Sequence, residues 1–89
     1  MDVARSDLAR QVIAALARGC NRVPEDITPG TSMLELALDS LSIVAITTYL
    51  SAALRADLDE TVAEQLLYSD TVGEVIDIVQ ARVTSEAHE

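Results

Sequence analysis

Apolar residues recur at three- and four-residue spacing along most of this 89-residue chain, the spacing of helices that bury one side. The first predicted helix runs from about Val3 to Arg18. Gly19 is its expected stop, because glycine readily adopts the left-handed conformation that ends helices. Residues 20–38 contain two prolines and a glycine and keep no period, so they are predicted to form a long loop. Its apolar residues are expected to pin the loop to the core: Val23, Ile27, Met33, Leu34 and Leu36.

The next helix is predicted from Asp39 to about Arg55, because aspartate is a strong N-terminal cap. It has two apolar sides and no charged residue from Ser40 to Leu54. One side is the expected core stripe: Ile43, Ile46, Thr47, Leu50 and Leu54. The other side is also apolar or small: Leu41, Val44, Ala45, Thr48 and Ala52. Either the first and fourth helices cover this second side, or Leu41, Val44 and Thr48 form an exposed docking strip for partner proteins.

Each of the last two predicted helices begins at a threonine. The third runs roughly from Thr61 to Leu67, and the fourth starts at Thr71 and ends near Arg82 or Val83. Each threonine is followed three residues later by a glutamate, which is the spacing of a capping box.

These segments predict an all-α fold, a four-helix bundle with a long first loop and a short third helix. No repeat and no linker divides the chain. We therefore expect one domain over residues 1–84 and a frayed polar tail over residues 85–89.

Charge and composition narrow the possible functions. The net charge is −9, and every basic residue is an arginine. Residues 1–56 hold six acids and five arginines, net −1, whereas residues 57–89 hold nine acids and one arginine, net −8. Nucleic acid is not an expected partner, because phosphate binding needs a basic surface. With no secretory leader and no long apolar run, no membrane contact is expected, and we expect a discrete cytoplasmic chain.

The segment ITPGTSMLELALDSL, from Ile27 to Leu41, resembles the loop and modification motif of acyl and peptidyl carrier proteins. In that family an Asp-Ser-Leu triplet begins the second helix, and here it is Asp39-Ser40-Leu41. The triplet alone is a weak signal. The resemblance also includes the long first loop, the short third helix and the Ser-Asp-Thr-Val-x-Glu start of the fourth helix. It implies a bundle of the acyl-carrier type.

The resemblance implies a covalent cofactor on Ser40. In the family, the serine hydroxyl carries 4′-phosphopantetheine from coenzyme A, and the terminal thiol of this arm holds the cargo as a thioester. Asp39 is then the helix cap and, with Leu41, a recognition element for the phosphopantetheinyl transferase, which uses Mg²⁺. The other implied partners are an acyl- or aminoacyl-loading enzyme and downstream synthase or tailoring enzymes. We expect a monomer that binds no metal itself.

One position departs from the family pattern. Ala37 stands where the family usually has glycine. If that position has a positive φ, alanine is strained there by about 1 kcal/mol or more.

We expect no enzymatic activity, because a serine nucleophile needs a base and the single histidine, His88, lies in the predicted tail. Carriers of fatty-acid synthesis typically have an acidic second helix. Here no acid follows Asp39 until Asp57, which favours polyketide, nonribosomal peptide or related specialised biosynthesis. Two alternatives remain: a helical interaction module that carries nothing, and a fatty-acid-synthesis carrier.

Overall fold

The computed structural model describes residues 5–87, with side chains described up to residue 84. This part of the chain forms five α-helices and one short 3₁₀ helix. They are α1 (Arg5–Cys20), the 3₁₀ helix (Pro24–Asp26), α2 (Met33–Leu36), α3 (Ser40–Leu54), α4 (Glu60–Leu67) and α5 (Val72–Ala87). Helices α1, α3, α4 and α5 are the four predicted helices, so the all-α bundle is confirmed. Helix α5 extends past its predicted end near Arg82 or Val83 and continues to Ala87. The predicted start at Val3 and residues 88–89, with His88, lie outside the described residues.

Helix α3 packs against α1 and α4, and α5 packs against the same two helices. Its core stripe is as predicted: Ile43, Ile46, Thr47 and Leu50 are buried and Leu54 is partly buried. Most of the rest of the core comes from the facing sides of α1, α4 and α5, including Leu16, Leu66 and Ile76.

Gly19 does not end α1, contrary to the sequence-based prediction. The helix continues to Cys20, and the left-handed residue that ends it is Asn21, with a φ of 59°. The amide of the next residue, Arg22, donates to the carbonyl of Ala17 at 2.9 Å, a bond that commonly closes a helix C-terminus. Gly19 instead permits close packing, because a Cβ there would lie 2.8 Å from Ile46 Cδ1 on α3.

The long loop is fixed to the start of α5. The amide of Met33 donates to the carbonyl of Asp70 at 2.8 Å, and the amide of Val72 donates to the carbonyl of Thr31 at 2.9 Å. The amide of Gly73 donates to a third acceptor, the carbonyl of Pro29, at 2.8 Å. The segment before Ser40 is therefore held against the bundle by backbone hydrogen bonds.

The loop also differs from the prediction in two respects. It contains the 3₁₀ helix and α2, and the hydroxyl of Ser32 caps α2 by accepting from the amide of Leu34 at 3.1 Å. A four-residue helix is too short to produce a period in the sequence. Of the apolar residues expected to pin the loop, Ile27, Met33 and Leu36 are buried, but Val23 and Leu34 are exposed. Leu34 is 88% exposed, so the expectation was wrong for this residue and for Val23.

The structure contradicts the predicted threonine cap of α4 and shows the predicted threonine cap of α5. Helix α4 begins at Glu60, and its cap is Asp59, whose Oδ1 accepts from the amides of Thr61 and Val62 at 3.1 and 3.3 Å. Thr61 is therefore inside the helix and does not cap it. At α5 the predicted bond is present, since the amide of Glu74 donates to Thr71 Oγ1 at 3.3 Å. No helix among residues 5–87 is long and apolar enough to cross a membrane.

Candidate functional site

The Asp39-Ser40-Leu41 triplet forms the start of α3. Asp39 is the N-cap in extended conformation, and its Oδ1 accepts from the amide of Ser42 at 2.7 Å. Its carbonyl accepts from the amide of Ile43 at 3.0 Å, the first hydrogen bond of the helix backbone. Ser40 is the first helical residue, as the sequence predicts for a capped helix start.

The cap affects the protonation of Asp39. The hydrogen bond from the backbone amide of Ser42, together with one from the Ser42 side chain, lowers the pKa of Asp39 below its ordinary value. The carboxylate is therefore charged at neutral pH, and the ionised form is the better acceptor for the helix amide.

Ser40 is exposed, and its hydroxyl makes no hydrogen bond with the described residues. It is therefore not a capping residue, because Asp39 performs that role. Ser40 borders a groove of about 190 Å³ between α3 and α4. The other residues along this groove are mainly apolar, with two carboxylates at its α4 edge: Ile43, Val44, Ala63, Leu67, Glu60 and Glu64. A hydroxyl in this position is free to react and has apolar surface beside it.

Ala37 precedes the site with the strained backbone that the sequence suggested. Its φ is 52° and its ψ is 42°, the left-handed region that ordinarily favours glycine. Its amide donates to the carbonyl of Leu34 at 3.1 Å, which ends α2 and turns the chain towards Asp39.

The second apolar side of α3 is exposed. Leu41 is 79% exposed and Val44 is 53% exposed, and Thr48 is also exposed. The alternative in which neighbouring helices cover this side is therefore wrong. The hydroxyl of Thr48 donates to the carbonyl of Val44 at 2.9 Å, so it is already satisfied within the helix. We call Leu41, Val44 and Thr48 the α3 strip.

The surroundings of the α3 strip include charged residues that the sequence analysis did not single out. Glu60 and Glu64 lie across the groove on α4, and Arg18 of α1 lies over the ring of Tyr49. The acidic bias after residue 56 hinted at the two glutamates. No local signal pairs Arg18 with Tyr49, because they lie on different helices.

The described residues contain no group of three or more histidine, cysteine, aspartate or glutamate side chains that could hold a metal ion. A comparison with curated proteins finds no significant match. The family model described as "phosphopantetheine attachment site" matches residues 10–79, which include the whole of α3 and the triplet at its start. The chain therefore belongs to the phosphopantetheine-attachment-site family, the family of acyl and peptidyl carrier proteins, whose domains carry 4′-phosphopantetheine covalently.

Proposed function

We propose that this protein is a carrier that holds acyl or aminoacyl intermediates on a 4′-phosphopantetheine arm attached to Ser40. It acts as a cytoplasmic monomer in polyketide, nonribosomal peptide or related specialised biosynthesis, and it catalyses no reaction itself. A phosphopantetheinyl transferase attaches the arm, and loading and synthase enzymes exchange the cargo. The observation that carries this proposal is the exposed, unbonded hydroxyl of Ser40 at the capped start of α3, within the stretch that matches the family.

The residues around Ser40 fit the arm. A phosphodiester on a first-turn serine lies near the positive end of the helix dipole, which stabilises it by about 0.3–1 kcal/mol at an exposed site. The charged Asp39 partly opposes this attraction, so its contribution is to fix the helix start and to be recognised, with Leu41, by the transferase. When bound, the arm supplies a terminal thiol that holds the cargo as a thioester. The groove beside Ser40 offers apolar surface to the arm and its cargo.

Attachment is tested by incubating the protein with coenzyme A, Mg²⁺ and a broad-specificity phosphopantetheinyl transferase, followed by intact-mass measurement. We expect one phosphopantetheine to be added to the wild type and none to Ser40→Ala. The matched control is Ser42→Ala, since Ser42 lies two residues further along the same helix turn. Loading of Ser40→Ala, or loss of loading in both variants, contradicts the assignment. A helical circular-dichroism spectrum confirms that each variant is folded.

We also propose that partner enzymes dock on the α3 strip. The support is its exposure, the absence of charge along the whole of α3, and its position directly after Ser40. Burial of apolar surface contributes roughly 25 cal/mol per Å² before ordering costs, so affinity depends weakly on salt. The lack of charge on α3 also favours specialised biosynthesis. An acidic docking helix, typical of carriers in fatty-acid synthesis, would bind basic partners in a strongly salt-dependent way.

A further inference from the structure

The exposed side of α3 is bounded by opposite charges along its two edges. On the α1 edge, Cζ of Arg18 lies 5.4 Å from the centroid of the Tyr49 ring. On the α4 edge, Glu60 and Glu64 line the groove next to Val44. The helix between these edges has no charged side chain. The surface is therefore an aliphatic strip with a cationic edge and an anionic edge.

These flanking charges are not consumed by contacts within the protein. Among the residues with described side chains, four arginines form ion pairs with carboxylates, and Arg18 is not one of them. The stacking partner of Arg18, Tyr49, is uncharged, so the guanidinium keeps its full charge. Within the described part of the chain, the carboxylates of Glu60 and Glu64 form no ion pair or hydrogen bond. Arg18 therefore places a positive charge beside the α3 strip that no described carboxylate neutralises.

Opposite charges on the two edges discriminate between the two directions in which a partner can lie along α3. They discriminate less between partners of different net charge. A partner whose flanks carry one sign gains on one edge and loses on the other, so the two edges together add little to its binding. A partner with both signs gains on both edges when it lies in one direction, and it is repelled on both edges when turned by half a rotation. For a carrier, orientation decides whether Ser40 points towards the active site of the partner.

We propose that the exposed side of α3 docks a partner helix or ridge of defined chemistry: aliphatic residues along its centre, a carboxylate facing Arg18 and a cation facing Glu60 and Glu64. This inference rests on the docking role proposed above for the α3 strip and adds the chemistry and direction of the partner. Like charges on both edges of the partner disfavour binding, because one edge is then always repulsive.

The test uses short helical peptides that share a leucine ridge and differ only in their flanks. One peptide has glutamates on one flank and lysines on the other, the second has glutamates on both, and the third has lysines on both. Binding to the full-length, isotope-labelled protein is followed by NMR shifts of the α3 strip. We expect the mixed peptide to bind about threefold to tenfold more tightly than either uniform peptide, since exposed charge pairs contribute modestly.

Orientation is read from a nitroxide at the N-terminus of the mixed peptide. We expect it to broaden signals at one end of α3 in the wild type. It should broaden the opposite end in the triple variant Arg18→Glu, Glu60→Gln, Glu64→Arg, in which the α1 edge becomes anionic and the α4 edge becomes cationic. The control variant Arg10→Glu, Glu25→Arg exchanges charges elsewhere, and it should retain the wild-type orientation, because neither residue lines the α3–α4 groove or the pocket beside Tyr49.

Equal binding of the three peptides, absence of binding, or the same orientation in the charge-reversed variant overturns the proposal. None of these outcomes touches the assignment of Ser40, which the mass of the loaded protein measures separately.

Discussion

Replacing Ala37 with glycine should stabilise the protein. Ala37 is held at a φ of 52° two residues before the Asp39 cap, and it is exposed. The left-handed conformation costs an L-residue about 1–2 kcal/mol, and glycine avoids this cost. Little packing is lost, because the Ala37 methyl group lies on an exposed residue.

The gain is partly offset in the unfolded state. Glycine gives the unfolded chain more conformational freedom than alanine, which costs about 0.4–1 kcal/mol. The expected net stabilisation of Ala37→Gly is therefore about 0.5–1 kcal/mol. For a domain of this size, about 1 kcal/mol changes the melting temperature by roughly 4–8 °C, so a rise of about 2–8 °C is expected.

A thermal melt followed by circular dichroism measures the effect. The matched control is Ala45→Gly, the same chemical change at an exposed position in the middle of α3. There the backbone is an ordinary right-handed helix, so glycine should destabilise the protein by about 0.5–1 kcal/mol. The two substitutions should thus have opposite signs. A lower melting temperature for Ala37→Gly would refute the argument that this turn is strained.

Three further predictions concern the site. The lowered pKa of Asp39 means that its cap stabilises the fold above the ordinary carboxyl pKa of about 3.9, and that this contribution is lost as the pH falls through the lowered value. Asp39→Asn should therefore remove part of the acid-induced loss of stability, and an unchanged pH profile contradicts this. Val44→Asp should change the free energy of unfolding by less than about 1 kcal/mol yet slow cargo transfer, since Val44 is exposed; a large drop in melting temperature or unaltered transfer refutes the docking role. A medium-length acyl cargo on the arm should shift the NMR signals of Ile43 and Leu67 in the groove, whereas unshifted signals mean that the cargo stays in solvent.

Much of the fold was predictable because its signals are local. A capping aspartate and an uninterrupted apolar stripe determine where α3 begins and which side it buries, and both follow from residues within the helix. The glycine usual in the family raised a positive φ at position 37 only as one possibility, and the structure shows it, with a φ of 52° for Ala37.

The wrong predictions depended on contacts between distant segments or on competing caps. Asp59 caps α4 in place of Thr61, because its carboxylate reaches two amides of the first turn. Gly19 is needed where α1 passes Ile46, a contact that no sequence spacing reveals. The exposure of Leu34 could not be predicted, since its apolar neighbours in the loop are buried.

The central claim is that Ser40 carries the arm, and the most direct test is to locate the added mass. Cleavage of the loaded protein at arginine releases residues 23–55, a fragment that contains four serines: Ser32, Ser40, Ser42 and Ser51. Tandem mass spectrometry of this fragment assigns the phosphopantetheine to one of them. We expect the whole of the added mass on Ser40. Phosphopantetheine on another serine, or none anywhere in the fragment of a loaded protein, contradicts the account.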